Sequence, residues 1–238
     1  MLTKDINQLT QELIDLDKRH FLHPSTNPMQ HVNKGPSIIF TEGKGIYVKN
    51  TLGETFIDGM SMLWNVNLGH GLEALAEVGK EQIGKLAYAS AFRGFSNEPA
   101  IRLAKKLADI APGDLTPVFY TSGGSESNDT AIKLARYYWD IKGKPEKYKI
   151  IALKNAYHGV TVAAQTATDI PAVHNFARSN IEGVYHAIAH LTECEKGDRT
   201  DPNFAHSIRG IIEREGADTV AAVLLEPVQG AGGVNIPP

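Results

Sequence analysis

The feature that most constrains the fold is an alternation of short apolar segments and helical patterns over residues 117–225. Strands are predicted at residues 117–120, 149–153, 181–185 and 220–225, and helices at 125–139 and 203–215. Residues 220–225 are apolar without interruption, which is typical of a strand buried on both faces. The pattern therefore predicts an α/β fold, with a mostly parallel sheet and helices on both of its faces.

The first half of the chain has a different pattern. Apolar residues at near-helical spacing predict an amphipathic helix over residues 3–19, and Pro24 then ends the helical region. An irregular segment is expected up to Pro36. Residues 45–59 predict a β-hairpin with a turn between Asn50 and Gly53. Two further amphipathic helices are predicted over residues 72–86 and 99–110.

Composition excludes several classes of function. The 238 residues contain 24 Lys and Arg against 27 Asp and Glu, a formal charge of −3, and no basic cluster, so a nucleic-acid partner is not expected. No apolar stretch approaches the roughly 20 residues of a membrane helix, and no signal pattern opens the chain. Cys194 is the only cysteine, which excludes an intrachain disulfide and a CxxC zinc site. We therefore expect a cytoplasmic protein.

The run YTSGGSESN at residues 120–128 follows a predicted strand and opens a predicted helix. Gly123 and Gly124 allow the backbone to approach a ligand closely, and free amides at a helix start favour an anion such as phosphate. The run lacks the GxGxxG and GxxxxGK[ST] spacings of dinucleotide and nucleotide sites. A simple glycine turn, with Ser125 helping to cap the helix, is the alternative at this point.

Two other predicted strands end in polar or aromatic residues. Tyr157 and His158 follow the strand at 149–153, and Glu226 and Gln229 follow the strand at 220–225. The carboxyl ends of parallel strands meet at one sheet edge, where open α/β folds bind ligands. A phosphate cup, a stacking aromatic and polar groups at one edge predict a site for pyridoxal 5'-phosphate.

Five motifs in order and spacing then identify a family resemblance. They are LHP at 22–24, DGMSMLWNVNLGHG at 58–71, YTSGGSESN at 120–128, YHG at 157–159 and EPVQGAGG at 226–233. The chain resembles the amino-terminal part of a class III (omega) aminotransferase, a fold-type I enzyme that depends on pyridoxal phosphate. Within this family, the Leu63-Trp64 pair and the tail GVNIPP most resemble the amine:pyruvate and taurine:pyruvate branch.

The resemblance implies a role for individual residues. Cofactor binding is implied for Gly123, Gly124, Ser125, Tyr157, His158, Glu226 and Gln229. Among these, Gly124 and Ser125 would hold the phosphate, and Tyr157 would stack on the pyridine ring with His158 beside it. Glu226 and Gln229 would lie near the polar edge of the ring. Leu22, His23 and Trp64 would line the substrate pocket.

The resemblance also implies a division into domains and catalytic groups that lie outside the chain. Residues 1–58 would belong to a small domain, and residues 59–238 to an incomplete large domain. The Schiff-base lysine and the aspartate that protonates the pyridine nitrogen are expected beyond Pro238, so we assign no catalytic residue within the chain. A homodimer is implied for the complete protein. For this chain alone we expect poor solubility, because strand edges and apolar surface would be uncovered.

Two departures and several alternatives remain at this point. Ser25 stands where many relatives have Phe, which predicts a wider or more polar pocket. Gly123 stands where many relatives have Ser or Asn, which removes one possible side-chain donor to the phosphate. The alternative function is a silent fragment that binds phosphate or cofactor weakly or complements a second chain. An aminomutase or a decarboxylase of the same fold is a third possibility. No metal site is predicted, since His186 and His190 are interpreted as a solvated helix face.

Overall fold

The computed structural model describes residues 6–174, 179–188, 200 and 203–237. Its packing divides the chain into two compact units, residues 1–116 and 117–238. The first unit contains an antiparallel three-stranded sheet and the second a parallel three-stranded sheet. The predicted boundary between a small and a large domain after Asp58 concerns the complete protein and stays a prediction.

The first unit begins with two helices and a small sheet. Its elements are α1 (Ile6–His20), α2 (Pro28–Lys34), β1 (Phe40–Lys44), β2 (Tyr47–Asn50), β3 (Thr55–Ile57), the single turn α3 (Ser61–Trp64), α4 (Glu73–Lys85) and α5 (Glu98–Ile110). The three helices predicted in this half are confirmed, and so is the hairpin, as β2 and β3. The sequence analysis missed β1 and α2. Asn27 caps α2 by accepting a hydrogen bond from the Gln30 amide, and Pro28 follows at its first turn, both typical of a helix start.

The motif at residues 58–71 is organised around two of its polar side chains. The Asp58 carboxylate accepts hydrogen bonds from the Met60 and Met62 amides, and its Oδ2 lies 2.9 Å from His70 Nε2. The Met62 amide and then His70 lower the pKa of Asp58. His70 also exchanges two backbone hydrogen bonds with Gly45. The motif is thereby tied to the hairpin.

The second unit is the α/β part of the chain. Its elements are α6 (Gly124–Ile141), β4 (Lys149–Leu153), α7 (Val162–Ala167), α8 (Pro171–His174), β5 (Val184–Ala187), α9 (Ile208–Glu215) and β6 (Val220–Val223), with 3-10 turns at Phe204–His206 and Ala217–Thr219. The strand order is β5-β4-β6, and both pairings are parallel. The predicted α/β class and parallel sheet are confirmed.

Strand β4 lies at the centre of both apolar clusters of this unit. Ile151 and Leu153 pack on one face with Ile211 of α9, whereas Ile150 packs on the other face with Ile132 of α6. Successive side chains of a strand point to opposite faces, so a strand covered on both sides is apolar at every position. Burying one such side chain contributes about 1.5–3 kcal/mol. Helices therefore cover both faces of the sheet, as predicted.

Three predicted elements differ from the structure. Residues 117–120 do not form a strand, because a strand needs a hydrogen-bonded neighbour and the described parallel sheet contains β4, β5 and β6 alone. The strand predicted at 181–185 is β5, displaced toward the carboxyl end. The helix predicted at 203–215 begins only at Ile208, where Ser207 Oγ accepts from the Gly210 amide and so caps it.

The histidine pair interpreted as a helix face needs a correction. His186 lies in β5, not in a helix, and its Nε2 is 3.2 Å from the Ala167 carbonyl oxygen. His190 and Cys194 lie outside the described residues. Within the part of the chain that the structure describes, no helix is long and apolar enough to cross a membrane.

A half-buried ion pair lies at the amino-terminal edge of the sheet. Lys149 Nζ at the start of β4 donates to Glu215 Oε2 at the end of α9, over 2.9 Å. Hydrogen bonds from Lys149, then from Arg214 and from Tyr185, lower the pKa of Glu215 to about 2. The interaction links the central strand to the helix that covers one face.

We predict that Glu215→Gln destabilises the protein at neutral pH by about 1–3 kcal/mol, because charge-assisted hydrogen bonds are lost. The folded pKa lies below the unfolded value, so this contribution is full above about pH 4.5 and is lost as pH falls toward 2. Urea unfolding at pH 7, 4 and 2.5 should show the two proteins converging in acid. Glu146→Gln, at an exposed carboxylate, is the control, and an equal difference at every pH would contradict the prediction.

Candidate cofactor site

The start of α6 carries the predicted phosphate cup. Gly123 is the N-cap, with extended backbone (φ −165°, ψ 171°) and no side chain that could cap the helix, and Ser125 lies inside the helix as its second residue. Glu126 instead accepts a hydrogen bond from the Ser122 amide over 2.8 Å. The first amides of a helix have no intrahelical acceptor, and Gly123 and Gly124 are exposed. The helix start therefore presents open donors to an anion.

The Ser125 hydroxyl connects this helix start to the loop after β4. Its Oγ accepts a hydrogen bond from the Val160 amide (3.0 Å), and the Thr161 hydroxyl donates to the Ser125 carbonyl (3.2 Å). A hydroxyl that accepts a hydrogen bond still has its own hydrogen to donate. Ser125 can therefore hold the loop and donate to a phosphate oxygen at the same time.

Gly159 is required where this loop crosses the helix. Its φ is +124°, a conformation that side-chain-bearing residues rarely adopt, and a Cβ there would lie 2.4 Å from Ser125 Oγ and 2.8 Å from Ser125 Cα. The local structure thus explains why the third residue of the YHG motif is glycine. It brings the motif against the phosphate cup.

Tyr157 and Glu226 meet as the topology requires. Tyr157 follows β4, Glu226 follows β6, and these strands are parallel neighbours. Glu226 Oε2 accepts a hydrogen bond from the Tyr157 amide over 3.0 Å. Tyr157 is 41% exposed, so it has surface available for stacking on a flat heterocycle.

His158 is buried beside them. Its amide donates to Thr168 Oγ1 (2.9 Å), and its carbonyl accepts from Asn128 Nδ2 (2.7 Å). Burial lowers the pKa of His158, against the opposing charge of Glu226, so the ring is neutral near pH 7. Its Nε2 is buried without a hydrogen-bond partner.

An unpartnered buried nitrogen costs about 1–3 kcal/mol, so its presence indicates a position completed by another group. The open amides at Gly124 and Ser125, the available ring of Tyr157 and this nitrogen all lie in the second unit. These residues fit a flat heterocycle that carries a phosphate. They supply no lysine for covalent attachment.

Gln229 lies buried in the loop that follows β6. It is fully buried, and its Nε2 donates to the Lys154 carbonyl over 2.8 Å while its backbone bridges to Asn235. It therefore holds the loop after β6 against the end of β4. Gly232 packs equally closely, since a Cβ there would lie 2.2 Å from the Asn155 carbonyl oxygen. A role for Gln229 at the ring edge stays a prediction.

The sequence analysis missed three residues that position the site. Asn128 holds the His158 carbonyl, Asp129 accepts from the Ala164 amide over 2.7 Å, and Thr168 holds both His158 and Gly159. Asn128 and Asp129 follow Ser125 by three and four residues. Such residues share one helix face with it, a signal that could have identified them.

The predicted substrate residues belong to the first unit. Leu22 is 76% exposed and Trp64 is 68% exposed, whereas His23 is half-buried and hydrogen-bonded to Asp17. All four residues of α3 have positive φ, between 45° and 70°. That conformation costs about 1–2 kcal/mol per residue and is often found at functional sites. The pocket roles of these residues stay predictions.

Comparison with known proteins decides the family. The family model described as aminotransferase class-III matches residues 29–238. The chain belongs to the class III aminotransferase family. Enzymes of this family depend on pyridoxal 5'-phosphate. The five motifs therefore indicated the right family.

Relatives of known identity agree with this assignment. The putrescine–pyruvate aminotransferase of Pseudomonas aeruginosa is 37% identical over 236 residues, which are 98% of this chain and 52% of that protein. A transaminase of the marine bacterium Virgibacillus is 49% identical with a TM-score of 0.88, over 95% of this chain and 50% of that one. An (S)-enantioselective omega-transaminase of Thermomicrobium roseum is 43% identical with a TM-score of 0.86, over 96% and 52% respectively. The chain thus spans about half the length of the relatives it matches.

For this class III aminotransferase chain we predict that Gly159→Ala disturbs the cup. The added methyl group would meet Ser125 and the backbone would be strained, so we expect a loss of about 1–3 kcal/mol in unfolding free energy and weaker cofactor binding. Chemical denaturation and a titration with pyridoxal phosphate measure the two effects.

Gly143→Ala is the matched control, because Gly143 also has positive φ (+71°) but a Cβ there would meet no atom within 4 Å outside its chain neighbours. The control should show the backbone strain without the weaker cofactor binding. Equal cofactor affinities for the two variants would contradict the proposed approach of the loop to the helix.

Proposed function

We propose that the complete protein transfers an amino group from an omega-amino compound to pyruvate or another keto acid. The observation that carries this is the joining of three motifs at one sheet edge, by the Ser125–Val160 and Tyr157–Glu226 hydrogen bonds. When bound, pyridoxal phosphate supplies the electron-accepting ring that amino-group transfer needs.

The residues of this chain would bind and orient the cofactor. The amides of Gly124 and Ser125 and the Ser125 hydroxyl would hold the phosphate, whose negative charge the positive end of the α6 dipole would stabilise. Tyr157 would cover one face of the ring and keep water from it. The neutral His158 offers its buried Nε2 as a hydrogen-bonding group behind the site. Glu226 keeps the Tyr157 loop in place.

We infer a primary amine or diamine as donor and pyruvate as acceptor. The support is the similarity to a putrescine–pyruvate aminotransferase and to omega-transaminases. Other relatives are named for diaminobutyrate with 2-oxoglutarate and for gamma-aminobutyrate, so similarity favours the omega-amino class more strongly than one compound. Beyond residue 238 we expect the lysine and the aspartate, and we expect a homodimer.

The experiment for this proposal uses the complete protein loaded with cofactor. Addition of putrescine, β-alanine or taurine should change the absorption spectrum of the bound cofactor, and pyruvate should restore it. A spectrum unchanged by every amine would overturn the proposal. Borohydride reduction separates the alternative: an aminotransferase retains the cofactor covalently, whereas a silent fragment loses it on dialysis.

We predict that Ser125→Ala weakens pyridoxal phosphate binding about tenfold or more, because a hydrogen bond to a charged group is lost. Equilibrium dialysis measures the affinity. Ser122→Ala is the control, since Ser122 is exposed and binds Glu126 through its backbone amide. Equal losses in both variants would show that the Ser125 hydroxyl does not contact the phosphate.

For Trp64 we predict an effect on the amine substrate alone. Trp64→Ala in the complete protein should change KM for an amine by about tenfold, while cofactor affinity stays the same, because a large exposed aromatic surface is removed from the pocket. Steady-state kinetics with a small and a bulky amine measure the effect. Tyr47→Ala removes an exposed aromatic elsewhere in the first unit and should leave KM unchanged.

A further inference from the structure

A second group of polar side chains lies between α1 and α2, in the first unit. Among the described residues, Asp17, His23 and His31 form the one group of three His, Cys, Asp or Glu side chains whose ligand atoms could hold a metal ion. Asp17 lies in the last turns of α1, His23 in the connecting segment, and His31 in α2. No motif of the cofactor site explains why these three converge.

The three side chains place their ligand atoms together. His23 Nε2 lies 3.0 Å from Asp17 Oδ2, and His31 Nε2 lies 2.8 Å from Asp17 Oδ1. The three ligand atoms lie within 4.8 Å of one another. The histidine ring centroids are 4.5 Å apart. The Nε2 atoms of both imidazoles therefore lie close to one carboxylate.

His31 provides the second observation. Its side chain is only 7% exposed, and its Nε2 is fully buried without a hydrogen-bond partner. The 2.8 Å distance to Asp17 would count as an ion pair if the ring were protonated, but the ring N–H is not aligned with that oxygen as a hydrogen bond requires. The buried nitrogen is therefore available to another partner.

The surroundings hold the cluster in place. Lys18 Nζ donates to the Asn33 carbonyl (3.1 Å), and Arg19 Nε donates to the Asp15 carbonyl (2.9 Å), so both neighbouring cations have other partners. Gly35 lets α2 end close to α1, because a Cβ there would lie 3.0 Å from Ile14. An adjoining cavity of about 240 Å³ gives room for water.

We propose that Asp17, His23 and His31 bind one divalent transition-metal ion, with Zn²⁺ as the best match. Two imidazoles and one carboxylate are a ligand set that zinc accepts, with water in the fourth position. Tetrahedral ligands at about 2.0–2.1 Å are about 3.3 Å apart, so each histidine nitrogen needs to move away from its Asp17 oxygen by only a few tenths of an ångström. Metal binding would fix the segment between α1 and α2, which carries Leu22.

The test uses the purified full chain, stripped with EDTA and titrated with ZnCl₂ by calorimetry at pH 7.5. We expect one site that is lost, or weakened more than about 100-fold, in Asp17→Asn and His31→Gln, because even outer-shell changes cost 10–100-fold in metal affinity. X-ray absorption of the zinc form should show nitrogen and oxygen ligands, including two imidazoles. Circular dichroism checks that each variant is folded.

Two further variants complete the design. His20→Gln is the matched control, since His20 is an exposed histidine in the same helix and lies outside the cluster. His23→Gln changes a ligand outside the helices, so it keeps the test valid if a helix variant fails to fold. Absence of zinc binding in the unmodified chain, or equal binding in His23→Gln and His20→Gln, would overturn the proposal.

Discussion

The burial of β4 between two parallel neighbours is the constraint on which the second unit depends. Ile150 and Ile151 point to opposite faces and are both almost completely buried, so each face needs its own helical cover. Both neighbours pair with β4 in parallel, so the three strands run in the same direction. The ends of β4 and β6 therefore meet at one edge, and the polar loops that leave them lie side by side.

The candidate cofactor site is then assembled by side chains that bind backbone amides. Glu226 holds the Tyr157 amide, Ser125 holds the Val160 amide, and Thr168 holds the His158 amide. Such bonds place loops with a precision that apolar contacts do not give, because hydrogen bonds weaken steeply with distance and angle. The buried Nε2 of His158 is left without a partner among them, as expected of a group that a bound molecule completes.

Much of the fold could be predicted because periodicity reports burial directly. For the helix near the amino terminus, the hairpin and β4, the local apolar pattern predicts the element that the structure contains. Residues 117–120 look equally apolar, yet a strand also requires a partner in the sheet, which no local pattern contains. Likewise α2 was not predicted, because Pro24 ends the preceding helical pattern and the seven residues of α2 are marked mainly by the cap at Asn27. Long-range hydrogen bonds such as that from Asn128 to His158 span 30 residues and leave no periodic trace.

The sequence by itself determined the α/β class, the family and the residue types at three converging loops, because glycines, hydroxyls and aromatics after apolar strands are local features. Tertiary structure alone decided how these residues are used. It buried the side chain of Gln229, showed why residue 159 must be glycine, and brought Asp17, His23 and His31 together. The physical reason is that burial and contact arise between segments distant in the chain, whereas composition and spacing record only what each segment can do alone.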